Sequence, residues 1–506
     1  MNRPWMRTRS IVLAFAAIAA LTLSGCAPTT STPSDTSTVA ADLQPFYGQR
    51  LTWTSCHVTF QCTKATAPMD WSNPSGATIQ LALIRHLATG TAQGSLLVNP
   101  GGPGASGVDF IADSLDYAVS AQLQRSFDIV GFDPRGVGQS SAVTCFQPAQ
   151  MDSYLYDILP GVRGSASWIA AATSSSQDFA NACAQRTGAL LQFVDTQSAA
   201  RDLDLLRSVL GDRQLNYLGY SYGTYLGATY AGLFPKNVGR FVLDGAIDPA
   251  ASNTDVNVAQ AKGFEAALRA YLSDCLGGKS CPFEGQSVDQ AMVSIRQLLD
   301  EVGAHPITAS DGRQLGSDTL LTAIVYPLYS RSSWPALSTM FSSVLAGKAD
   351  TAFQFADGYN GRNSDGSYID NSTEAFHAIN CLDYQYDDSP AAMAAQRAEL
   401  EAAAPTIGTF FAYGDIGCAV WPYHSTHQRG PISADGSNPI VVIGTTGDPA
   451  TPYQWAVNLS QQLQNGTLIR YQGEGHTAYN KSNSCVNDAV DSYFVHGTVP
   501  PAKLSC

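Results

Sequence analysis

Two rhythms of apolar and polar positions run along this chain. Residues 78–84 (TIQLALI) alternate, as a half-buried strand does. Residues 95–99 (SLLVN) and 127–132 (FDIVGF) are short and mostly apolar, as strands buried on both faces are. Between them, and again over 196–210, the period becomes helical. In the second stretch Ala199, Leu203, Leu206 and Leu210 mark one face, and Gly211 supplies a stop signal. Strand-like runs return at 215–218, 240–243 (RFVL), 439–444 (PIVVIG) and 467–471 (TLIRY). Strands alternating with helices predict a mostly parallel sheet with working loops at its C-terminal edge. From about residue 248 to 430 the strand rhythm disappears, and helical patterns at 261–271, 288–302 and 391–404 take its place. The fold class is therefore α/β, with a first part of the sheet domain over 42–250, a largely helical cap inserted over 251–430, and the sheet domain completed over 431–506.

Composition adds a compartment. The chain has 506 residues, 44% hydrophobic and 14% charged, which describes a globular protein with ample core. Its first 25 residues read as an export signal: Arg3, Arg7 and Arg9 precede an apolar run over 11–23 that is short for a membrane span. The run ends in Leu23-Ser24-Gly25-Cys26, which is similar to the lipobox of bacterial lipoproteins and implies acylation of Cys26. Residues 26–41, rich in Ser, Thr and Pro, read as a flexible tether. The expected location is the extracytoplasmic face of the membrane, reached only through the lipid at Cys26, or the medium. Formal charge is −14, and about −17 once the arginine-bearing signal is gone, so nucleic acid is an unsuitable partner.

Eleven cysteines become ten without Cys26, an even number for an oxidising compartment. Their order predicts neighbour pairs: Cys56–Cys62, Cys145–Cys183, Cys275–Cys281, Cys381–Cys418 and Cys485–Cys506. No Cys/His spacing suits zinc, and no cofactor is implied.

Candidate chemistry centres on residues 215–235, where an apolar run meets Gly219-Tyr220-Ser221-Tyr222-Gly223 and a helical segment follows at once. That is G-x-S-x-G between strand and helix, the setting in which a serine is presented as a nucleophile on a tight turn. A nucleophilic serine needs a base, an orienting acid and donors for the developing oxyanion. Asp448, on the loop after PIVVIG, is the leading acid, and His476, just after TLIRY, the leading base. The order Ser221, Asp448, His476 is that of α/β-hydrolases. Asp244 and Asp248 are rival acids, and His424 and His427 rival bases. The N–H of Tyr222 and that of Gly101 or Gly102, in Asn99-Pro100-Gly101-Gly102-Pro103-Gly104, are the oxyanion donors expected from position. Asp133-Pro134-Arg135-Gly136 reads as a turn held by local hydrogen bonds rather than as part of the site.

Taken together, NPGGPG, FDPRGVGQS, GYSYGTYLG, VLDGAIDP, GDPATP and GEGH resemble the secreted tripeptidyl aminopeptidases of actinobacteria, a prolyl-aminopeptidase-like branch of the α/β-hydrolases. The resemblance runs from about residue 53 to 506. It implies a serine exopeptidase that removes short peptides, often tripeptides, from free N-termini through Ser221, Asp448 and His476. Pro100 stands where prolyl aminopeptidases carry His in H-G-G-P-G, so the resemblance does not choose between Gly101 and Gly102. An aminopeptidase must also hold a free ammonium, for which a partly buried carboxylate is suited. Glu374 and Asp383 in the cap are the candidates. The same triad also suits a carboxylesterase or lipase, and a non-catalytic lipoprotein that binds peptides or wall material is the reading from another class.

Overall fold

The computed structural model describes residues 29–30, 32–33 and 39–506. The export signal and Cys26 lie outside them. Four strands make the first, antiparallel part of the sheet: β1 (Thr29–Thr30), β2 (Thr52–Cys56), β3 (Phe60–Pro68) and β4 (Thr78–His86). The parallel part begins with β5 (Ser95–Asn99), β6 (Asp128–Phe132), β7 (Leu215–Tyr220) and β8 (Val238–Asp244). A small separate pair, β9 (Ile307–Thr308) and β10 (Gln314–Leu315), sits among the helices that follow. The main sheet is then completed by β11 (Ile440–Gly447), β12 (Gly466–Glu474) and β13 (Leu504–Ser505). The order of its eleven strands is β1-β2-β3-β4-β6-β5-β7-β8-β11-β12-β13.

Burial explains which strand patterns were readable. Every residue of β5 is buried, as are all of β7 except the half-buried Asn216, so both are simple apolar runs. In β4 the alternation holds only over its first half. From Leu81 on the strand is mostly buried, because residues 83–85 pair with β6 as well as β3. β2 and β3 carry polar residues on their exposed face and were not legible as central strands are. Thr29 and Thr30, read as tether, pair antiparallel with β2, whose outer edge offers free backbone groups.

Helix Thr196–Leu210 has the bounds its period predicts. Asp195 caps it by accepting the Ser198 N–H at 2.8 Å, and Gly211 ends it at φ 90°. Arg135, with its flanking turn, is structural: fully buried, it forms a two-pronged pair with Asp202 at 2.7 and 2.6 Å and donates to the carbonyls of Pro68, Met69 and Phe193. All five cysteine pairs are joined as their order predicts.

The segment between β8 and β11 is helical apart from the short β9–β10 pair, and it has its own apolar core around Phe264, Leu268, Tyr271, Leu299, Ile324, Phe341 and Phe353. Tyr156 and Trp168 join that core from helices Pro148–Tyr156 and Ala166–Thr187, which precede the elbow. The helical layer thus draws on residues outside 251–430. The Ala/Ser-rich sequence of the second of these helices (ASWIAAATSSSQ) carries too thin an apolar stripe to announce the contact.

Candidate active site

Parallel pairing of β5 with β7 sets Asn99 beside Gly219, so the loop after β5 and the turn after β7 leave the sheet together. In that turn Ser221 adopts φ 55° and ψ −125°, a region in which a side-chain-bearing residue costs about 1–3 kcal/mol. Several contacts enforce it. The Ser221 N–H donates to the Asp244 carbonyl at 2.9 Å, and the Thr224 hydroxyl donates to the Ser221 carbonyl at 2.6 Å. The flanking glycines are required by close approach: a Cβ on Gly219 would lie 2.4 Å from the Gly223 carbonyl oxygen. Ser221 is partly accessible, whereas Tyr222–Ala231 behind it are buried throughout.

Asp448 and His476 come together from the loops after β11 and β12. Nδ1 of His476 is 2.9 Å from both carboxylate oxygens of Asp448, whose side chain is fully buried. Asp448 also accepts the N–H groups of Ala450, Thr451 and Thr477 and the hydroxyl of Thr451. A carboxylate held by so many donors is fixed in orientation and fixes the imidazole in turn.

The rival acids have other partners. Asp244 accepts the N–H groups of Ala478 and Tyr479, just past His476; burial pushes its carboxyl upward while these two bonds oppose the shift. Asp248 accepts from Asn458 and Gln462, each at 2.7 Å. His424 and His427 line a different cavity with Trp71, Phe193 and Arg201, whose wall contains none of Ser221, Asp448 or His476.

Three contributors carried no signal in the sequence or were passed over there. Thr451 Oγ1 lies 3.0 Å from Asp448 Oδ2 and 3.2 Å from His476 Nδ1. Tyr329, from the helical layer, accepts the His476 N–H on its carbonyl at 2.8 Å and sets its ring edge-on to the imidazole. Asn99 accepts the Gly101 N–H on Oδ1 at 3.0 Å.

That last bond distinguishes the two loop glycines. With the Gly101 N–H engaged, the N–H of Gly102 is the one left without a partner among the described residues. Tyr222 opens a helix, where first-turn N–H groups have no intrahelical acceptor. Gly101 serves by its lack of a side chain: a Cβ there would come within 2.6 Å of the Tyr220 carbonyl oxygen and 2.9 Å of Ser221 Cβ.

A cavity of about 250 Å³ opens beside this loop. Gly102, Pro103, Tyr222, Phe376, Asp383 and Arg429 are among the residues of its wall. Asp383 is buried, and its oxygens already accept the Thr196 N–H at 2.9 Å and the Thr196 hydroxyl at 2.5 Å. Burial pushes its carboxyl up to about 7, with the Thr196 bonds opposing. The Thr196 hydroxyl also meets the Tyr222 hydroxyl, which ties this carboxyl to the elbow helix. Glu374 lies in the first turn of helix Ser372–Asp383, the turn packed on Gly104 of the loop. Burial pushes Glu374 up to about 7 as well, and it forms no ion pair among the described residues.

Known proteins resemble this chain over most of its length. A family model described as TAP-like protein matches residues 404–506. Serine protease Hip1 of Mycobacterium tuberculosis is 36% identical over 488 residues, covering 92% of each chain. A carboxylesterase B of the same organism is 37% identical over 481 residues, covering 91% of each. A tripeptidyl aminopeptidase of Streptomyces lividans is 30% identical over 454 residues, covering 88% of this chain and 83% of its own.

Proposed function

This chain belongs to the tripeptidyl-aminopeptidase-like family of α/β-hydrolases, and on that premise we propose that it is an exported serine exopeptidase. It releases short peptides, tripeptides foremost, from free N-termini. The observation that carries the reading is the Asp448–His476 pair at 2.9 Å, set in the same edge loops as a strained, partly accessible Ser221. His476 takes the Ser221 proton as Oγ attacks the scissile carbonyl, and Asp448 stabilises the imidazolium. The N–H groups of Tyr222 and Gly102 receive the oxyanion. Collapse expels the amine, protonated by His476, and water then attacks the acyl-enzyme by the same path in reverse.

Free-amine recognition falls to Glu374 in this reading. Asp383 already accepts from Thr196 on both oxygens, while Glu374 is a half-buried carboxylate with no ion-pair partner among the described residues, in the helix turn packed on Gly104 of the oxyanion loop. The carboxylesterase reading keeps one specific support, the relative of that name at 37% identity. Export rests on the signal-like first 25 residues and the five disulfides, and lipid attachment at Cys26 is part of the proposal. No helix among the described residues is long and apolar enough to cross a membrane.

The test uses a soluble form starting after Cys26, with Ser221→Ala beside it, and compares a free tripeptide p-nitroanilide, its N-acetylated twin and p-nitrophenyl butyrate. Cleavage of the free peptide alone, lost in the variant, is the expected result. Equal cleavage of both peptides removes amine recognition, and turnover of the ester alone moves the assignment to carboxylesterase.

A further inference from the structure

The cavity beside the oxyanion loop contains a cation that the mechanism above does not use. Arg429 lines it and is held between two rings, its guanidinium carbon 3.7 Å from the centroid of Tyr225 and 4.2 Å from that of Tyr384. One hydrogen bond fixes it among the described residues, from Nη2 to the Asp248 carbonyl at 3.2 Å. The buried Nε has no acceptor.

No carboxylate among the described residues pairs with this guanidinium within 4.0 Å. Asp383 shares the cavity wall and attracts it at longer range without pairing with it, its oxygens accepting from Thr196 instead. The Asp248 side chain is spent on Asn458 and Gln462. A guanidinium stays charged in proteins, and partial burial of one with no carboxylate at pairing distance is costly. Its two faces are covered by tyrosine rings, which leaves the planar N–H edge as the part able to meet a ligand. That edge matches a carboxylate in shape and charge.

We propose that Arg429 anchors a carboxylate-binding subsite in this cavity, taking an acidic side chain or a terminal carboxylate of the peptide bound next to the Gly102–Pro103 loop. Tyr222, Tyr225 and Tyr384 form an aromatic part of the wall and Asn257, Gln260 and Asn380 a polar one, so the preferred segment is short and singly acidic. The proposal deepens the peptidase reading and rests on it for the nature of the ligand.

Binding is measured apart from turnover, on Ser221→Ala protein by titration calorimetry. The probes are Ala-Ala-Glu amide, Ala-Ala-Gln amide and Ala-Ala-Gln with a free C-terminus. One of the two carboxylate-bearing peptides binds about tenfold tighter than the uncharged Ala-Ala-Gln amide, as one charge-assisted fork warrants, and which one it is identifies the source of the carboxylate. In Ser221→Ala/Arg429→Gln the contrast collapses to within about twofold, and Arg429→Lys, which keeps the charge but not the fork, retains part of it. Melting curves of each variant confirm folding. Equal binding of all three peptides, no binding by any, or a contrast that survives Arg429→Gln overturns the proposal. If wild-type protein cuts no tripeptide anilide, the peptidase reading falls while the binding contrast still stands or fails by itself.

Discussion

The carboxylate of Asp244 accepts the backbone N–H of Tyr479 at 2.7 Å, which ties the end of β8 to the loop that carries His476. Ala478 donates to the same carboxylate at 2.9 Å, and the carbonyl of Asp244 receives the N–H of Ser221. One residue therefore holds the backbone on both sides of the reacting centre. Asp244→Ala leaves two buried N–H groups unpaired and costs about 3 kcal/mol of stability. The resulting shift of His476 lowers kcat about 10- to 100-fold with little change in KM. Asp244→Asn restores one acceptor and recovers most of both. If the folded fraction of Asp244→Ala keeps full kcat, the residue is structural only.

Thr451 donates its hydroxyl toward Asp448 and also stands 3.2 Å from His476 Nδ1. Its N–H donates to the other Asp448 oxygen at 2.9 Å. Thr451→Val preserves shape and that backbone bond but removes the hydroxyl, freeing the carboxylate to rotate away from the imidazole. Expected is a fall in kcat of about tenfold, as for loss of an orienting hydrogen bond at a metal- or carboxylate-held histidine. Thr451→Ser restores it. An unchanged kcat in the valine variant would mean that the remaining donors alone fix Asp448.

The turn that carries Ser221 and the loop that carries Asp448 were legible in the sequence because each follows a largely buried strand, and the candidate base His476 because it follows the short apolar run of β12. The choice between Gly101 and Gly102 was not, because it depends on where Asn99 Oδ1 points. Tyr329 was invisible for a different reason. It reaches His476 from a helical layer folded back over the sheet, and no spacing in the chain records that contact. The same holds for the contact between Asp383 and Thr196, a residue 187 positions earlier in the chain. Arg429 shows no motif at all; only its stacking between Tyr225 and Tyr384 marks it.

Gly101→Ala tests whether the loop must touch the elbow. The residue stands at φ 104°, and its new Cβ would lie 2.6 Å from the Tyr220 carbonyl oxygen, closer than such atoms approach. Relief requires moving either the loop or the Ser221 turn. The variant loses about 2–3 kcal/mol of stability to backbone strain and contact. It also loses about 100-fold in kcat because the Gly102 N–H and Ser221 move apart. Thermal melting and p-nitrophenyl butyrate turnover read the two effects, and wild-type-like values in both would remove Gly101 from the site.

Glu374 gives a prediction with opposite signs in stability and activity. Burial raises its carboxyl from 4.5 to about 7 in the folded protein, so the folded state holds the proton more tightly than the unfolded chain. Its favourable contribution is complete below pH 4.5 and is lost as pH rises through 7. Glu374→Gln is therefore expected to melt at a higher temperature than wild type at pH 8, with no gain at pH 4. Amine recognition needs the ionised carboxylate. The ratio of kcat/KM for the free tripeptide anilide to that for its N-acetylated twin, in which the pH dependence of the shared chemistry cancels, should rise in the wild type from pH 6 to 7.5. Above that range the substrate's own amine begins to lose its proton, at about pH 8. In Glu374→Gln the ratio should be at least about tenfold lower at pH 7.5, as for a lost charge-assisted hydrogen bond, and flat with pH. A variant that is stabilised at pH 8 yet keeps the wild-type ratio would make Glu374 a buried acid with no part in binding the amine.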